Sequence, residues 1–69
     1  MTVTTEQIAQ HYKAAMDSVR LINDIVASGD TDTESVAVMS RNQEHLEIMV
    51  AKDFWTTEDL TPLTSAINA

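Results

Sequence analysis

The sequence predicts an all-α fold: a long antiparallel helical hairpin and a short C-terminal helix, paired with a second copy into a dimeric four-helix-type bundle. Three observations predict it. Apolar residues recur at spacings of 4, 3, 4, 3 and 4 from Ile8 through Tyr12, Ala15, Val19 and Ile22 to Val26, the mark of one continuous helical seam. The lone glycine, Gly29, lies in the one clear loop of the first fifty residues, Ser28–Gly29–Asp30–Thr31–Asp32–Thr33. The chain has only 69 residues, and a domain of that size buries only about 60% of the surface its unfolded chain exposes, so a second copy is a natural source of buried area. The whole chain, 1–69, reads as a single helical domain with a helix over 5–28, a loop over 29–32, a helix over 33–53 and a short helix or tail over 57–67.

The first helix opens at Thr4. Thr4 and Gln7 fit a capping box, in which the hydroxyl takes a free backbone amide and the amide side chain three residues on reaches back. Val3 and Ile8 occupy the staple positions around that cap. Met16, Leu21 and Ile25 widen the seam into a broad face, and Gly29 supplies the left-handed residue that closes many helices. The resulting helix is about 24 residues, roughly 36 Å at 1.5 Å per residue.

For the second helix, Thr31 with Glu34 fits another capping box, and Asp32 is an equal alternative as the cap. Acids at Asp30, Asp32 and Glu34 suit the positive end of a helix. The seam continues through Val36, Met39, Leu46 and Val50, with Gln43 filling one position. The C-terminal segment offers two helix starts: Thr56, with Trp55 and Leu60 as a staple, or Thr61–Pro62, with proline at the first helical position. Leu60, Leu63, Ala66 and Ile67 then face the hairpin. Met16, Met39 and Met49 fall at helical spacing and read as core.

Two long helices joined by a short loop pack antiparallel, and each carries a face wider than one neighbour covers. The residues assigned to self-association are Ile8, Tyr12, Ala15, Val19, Ile22, Val26, Val36, Met39, Leu46 and Val50. Two large aromatics side by side, Phe54 and Trp55, are not expected to face one core together. They are the candidate contacts for an unidentified protein partner, since tryptophan is enriched at interface hot spots.

Composition narrows the chemistry. Four basic residues stand against eleven acidic ones, for a formal charge of −7. Binding to phosphates relies on clustered lysine and arginine, so neither nucleic acid nor an anionic membrane is an expected partner. Without cysteine there is no thiolate metal site, disulfide or thiol nucleophile. One glycine excludes a P-loop and a dinucleotide fingerprint. The first ten residues lack the basic and apolar regions of a signal peptide, and apolar runs such as 48–51 fall far short of the about 20 residues that span a bilayer. The expected location is the cytoplasm.

Three candidate sites fail on their own spacing. Asp30, Asp32 and Glu34 open like a calcium loop, but a calcium loop needs glycine at its sixth position and glutamate at its twelfth, where Ser35 and Arg41 stand. His11 and His45 do not converge: in a hairpin folded about residues 29–32, His45 lies near Met16 and Asp17, and His11 near Val50. Glu44 and Glu47 form E-x-x-E on one helix face, the spacing of a pair that holds Mg²⁺. That spacing resembles the first half of the metal site in all-α nucleotide pyrophosphohydrolases of the MazG and dimeric dUTPase kind. Those families carry a second acidic pair, E-x-x-D, on another helix. Here Glu58 and Asp59 are adjacent and Asp53 stands alone.

The function expected from the sequence is therefore structural or protein–protein interaction, without catalysis, cofactor or metal. It is carried by a small acidic helical protein of the sort frequent among phage accessory proteins. An acidic inhibitor or DNA mimic that fills a basic cleft is the alternative, and a metal-dependent pyrophosphohydrolase-like protein using Glu44 and Glu47 the second.

Overall fold

The computed structural model describes residues 3–69, so residues 1 and 2 of the expected 1–69 domain lie outside the described part. Among the described residues there are three helices and no strand: α1 (Thr5–Ser28), α2 (Thr33–Val50) and α3 (Thr61–Ile67). The molecule measures 41 × 19 × 17 Å, its long axis set by α1.

α1 has both expected ends. The Gln7 amide donates to Thr4 Oγ1 at 3.1 Å, and the Thr4 amide donates to Gln7 Oε1 at 3.0 Å, so two of the donors that every helix start leaves free are satisfied reciprocally. At the other end Gly29 is left-handed, with φ 69°, and its N–H donates to the carbonyls of Ile25 and Val26. A Cβ placed on Gly29 meets no atom within 4 Å, so any cost of a side chain there comes from the backbone alone. Gly29→Val is expected to lose about 1–2 kcal/mol, and Gly29→Asn much less, because asparagine tolerates this conformation. Thermal melts of the two variants check this; equal melting temperatures contradict it.

α2 is capped by Asp32, not by a Thr31–Glu34 box. Its carboxylate accepts the Ser35 amide at 2.7 Å. Asp30 supports the same turn, accepting the Asp32 amide at 3.1 Å and the Ser35 hydroxyl at 2.9 Å. A carboxylate outcompetes a threonine hydroxyl here because a charged acceptor binds amides about twice as strongly. α2 ends at Val50 with Ala51 as its C-cap, three residues before the expected 53. The reason is a side chain further along: Trp55 Nε1 donates to the Met49 carbonyl at 2.8 Å, and the Lys52 amide also turns back to that oxygen at 3.1 Å. The chain bends where the indole folds back onto the helix end.

The helix or tail expected over 57–67 is shorter, beginning at Thr61. Thr56 does not cap it. Its amide and hydroxyl both donate to Glu58 Oε1, at 3.0 and 3.4 Å, closing a local turn. α3 instead starts at the second of the two sites, with Pro62 in its first turn, where a missing N–H and a fixed φ cost nothing.

All three helices pack against one another. The core is Ala15, Val19 and Ile22 from α1, Leu46 from α2, and Leu63 and Ala66 from α3. Tyr12, Met16, Met39, Val50, Leu60 and Ile67 pack around it half-buried. α3 thus covers part of the broad apolar face within the same chain. Gln43, one of the expected seam positions, holds α3 by its end: its Nε2 donates to the carbonyls of Ala66 and Ile67 at 3.1 and 3.2 Å, with Ala69 at 3.5 Å. These are among the carbonyls that a helix C-terminus leaves without partners.

Candidate interaction surface

The residues assigned to self-association divide into three groups. Ile8, Ala15, Val19, Ile22 and Leu46 are buried within the single chain, with Ala15, Ile22 and Leu46 at 0% exposure. They form the protomer's own core and have no surface left for a second copy. Tyr12, Met39 and Val50 are half-buried against that core. Only Val26 and Val36 are truly open, each 52% exposed. The correction has a simple cause: a heptad-like seam reads the same whether its partner helix comes from the same chain or from another.

Phe54 and Trp55 also differ from expectation. The two rings pack edge to face on each other, with centroids 4.7 Å apart, and both lie against α1. Phe54 stacks on His11 at 5.2 Å, and Trp55 meets Tyr12 edge-on at 6.1 Å. Tyr12 in turn donates its hydroxyl to the Asp59 carbonyl at 2.7 Å. Offset and edge-to-face pairs of this kind add about 0.5–1.5 kcal/mol each beyond area burial. Both aromatics are half-buried, and their first role is to fasten residues 51–60 to the start of α1. His11 was placed near Val50 by the hairpin register; its ring partner stands four residues further on. His45 is half-buried on α2.

No helix among the described residues is long and apolar enough to cross a membrane. Glu44 and Glu47 are exposed, and no group of three potential metal ligands comes together among the described residues. At the α1–α2 connection the Asp30 carboxyl is held below its ordinary pKa, first by the Asp32 amide and then by the Ser35 hydroxyl. Glu58 and Asp59 are lowered in the same way by the amides of Thr56 and Thr61. In each case an N–H bond favours the charged acceptor, which is the chemistry of caps and turns.

What remains open is apolar. Leu21, Val26, Val36 and Ile48 are 49%, 52%, 52% and 54% exposed. Leu21 lies in a shallow groove of about 220 Å³ lined with Asp17, Arg20 and Asp24. Arg20 pairs with Asp17 at 2.6 Å, and Lys13 pairs with the same carboxylate at 3.8 Å; exposed pairs of this kind contribute about 0–1 kcal/mol. Sequence reasoning places Leu21 on the broad face of the first helix and Ile48 beside the seam of the second, and singles out neither. The available signal was angular: both lie off the 3–4 seam and are followed or preceded by charges at helical spacing.

No family model, no curated protein and no solved structure matches the chain.

Proposed function

We propose that this chain is a non-enzymatic protein-interaction module, an antiparallel helical hairpin buttressed by α3, whose first partner is a second copy of itself. The observation that carries the reading is the exposure of Leu21 and Ile48 on helix flanks of mixed charge. A two-fold interface brings the same patch together from both copies, so a flank suits self-association when it holds both signs. Around Leu21 the signs are Asp17, Arg20 and Asp24; about Ile48, Glu44 and Lys52 stand four residues to either side. Arg20 of one copy then faces Asp24 of the other across paired leucines.

The expected result is a concentration-dependent approach to twice 7.6 kDa in sedimentation equilibrium. Leu21→Glu shifts it to the monomer, because like charges and a desolvated carboxylate replace the apolar contact. A native protein that stays monomeric at about millimolar concentration, the weak limit of useful association, overturns the proposal. So does a Leu21→Glu variant that dimerises like the native chain.

A further inference from the structure

The negative charge of the chain is held in place by the fold. Of the eleven acidic residues, only Asp17 is engaged in ion pairs among the described residues, with Lys13 and Arg20. Several others are committed to the backbone. Asp32 caps α2, Asp30 accepts the Asp32 amide, Glu58 accepts the Thr56 amide and Asp59 accepts the Thr61 amide. A carboxylate that holds an amide of its own turn does not swing out to meet a cation. Negative charge is thereby fixed at the α1–α2 connection, by Asp30 and Asp32, and in the segment before α3, by Glu58 and Asp59.

The flank about Leu21 is different, since Arg20 stands there with Asp17 and Asp24. A second copy that docks through Leu21 meets mixed signs at the contact, but each copy carries a formal charge of −7. Across its long axis the molecule measures only 19 × 17 Å, so two copies lying flank to flank bring both whole charges within about one molecular width. The Debye length decides how much of the repulsion is felt. It is about 30 Å at 10 mM salt, wider than the molecule, and about 8 Å at 150 mM, less than half its width.

The ion pairs across the contact act the other way, because screening weakens the attraction of Arg20 for Asp24 of the second copy. Exposed pairs of this kind are each worth about fivefold or less in affinity, and Arg20 already has Asp17 at 2.6 Å. Repulsion between the two net charges is the larger effect.

We infer that self-association through Leu21 is regulated by ionic strength: uncompensated carboxylates keep copies of the chain apart at low salt, and dissolved ions let them pair by screening that charge. The inference rests on the proposed pairing of copies and adds its regulation. The carboxylates that fasten the turns also set the repulsion, so what stabilises the protomer opposes the dimer.

The test measures the dissociation constant of the dimer by Förster transfer between copies of the full chain labelled with donor or acceptor at Ala69→Cys, at neutral pH. The constant is expected to fall about tenfold or more as sodium chloride rises from about 10 to about 300 mM. Glu47→Gln with Asp53→Asn removes two exposed carboxylates at and just beyond the C-terminal end of α2, where negative charge does not help a helix. That variant is expected to pair about fivefold more tightly than the native chain at about 10 mM salt and equally at about 300 mM.

A constant that rises with salt, or stays level, overturns the inference and leaves the self-association standing. So does native affinity at low salt in the Glu47/Asp53 variant, since the salt effect is then a general strengthening of apolar contact. A native chain that is monomeric at every salt concentration overturns the self-association, and this inference with it.

Discussion

Val19→Asp is expected to unfold the protein. Val19 is 5% exposed and lies in the core cluster with Ala15, Ile22, Leu46, Leu63 and Ala66. The four cations of the chain are Lys13, Arg20, Arg41 and Lys52; Lys13, Arg20, Arg41 and Lys52 are all exposed, so none is buried beside the new carboxylate to neutralise it. An uncompensated buried charge costs about 3–5 kcal/mol. At about 0.05–0.15 kcal/mol per residue, a chain of this length has a total stability of the same order. Circular dichroism at 222 nm is expected to show loss of most helical signal at 25 °C. Val19→Ala, which removes two methyl groups and adds no charge, loses about 2 kcal/mol and remains folded. A cooperative melt of the aspartate variant at the native temperature would falsify the placement of α1's seam in the core.

Trp55→Ala is expected to have the second-largest effect, about 2–4 kcal/mol, seen as a drop of about 10–20 °C in melting temperature for a domain of this size. The half-buried indole does three things together. It takes the Met49 carbonyl at the end of α2, it packs edge-on to Tyr12, and it packs edge-on to Phe54. Trp55→Phe keeps ring contacts and gives up the N–H bond, so it loses only about 1 kcal/mol. The two variants together separate the hydrogen bond from the stacking. Because residues 51–60 lead into α3, Trp55→Ala also frees that helix first: amides of α3 are expected to exchange faster relative to those of α1. If both variants melt with the native protein, Leu63 and Gln43 hold the C-terminal segment without help from the aromatics.

The parts of this fold that could be read in advance are those in which the partner of a residue lies within four positions of it. Thr4 finds Gln7, Gly29 finds Ile25 and Val26, and Asp32 finds Ser35. The apolar period from Ile8 to Val26 also predicted which face of α1 turns inward. The misreadings share a cause as well. The extension of α2 to 53 overlooked an indole six residues beyond Met49. The separation of Phe54 from Trp55 overlooked His11 and Tyr12 on a distant helix. Propensity and spacing are silent on such contacts.

The candidate surface follows the same division. Periodicity marked Val26 and Val36 as seam residues alongside Ile22 and Leu46, because all four occupy equivalent helical positions. Only the tertiary structure distinguishes them, since exposure depends on where α3 stops and Gln43 ties it there. The sequence by itself determined the all-helical class, the two ends of α1, the cap-rich connection at 29–32 and the inward face of the long helices, since these are set by local hydrogen bonds and a 3.6-residue period. The tertiary structure decided which apolar residues are consumed inside the chain and which stay open, because burial is a property of what packs opposite a residue and not of the residue's own position in the pattern.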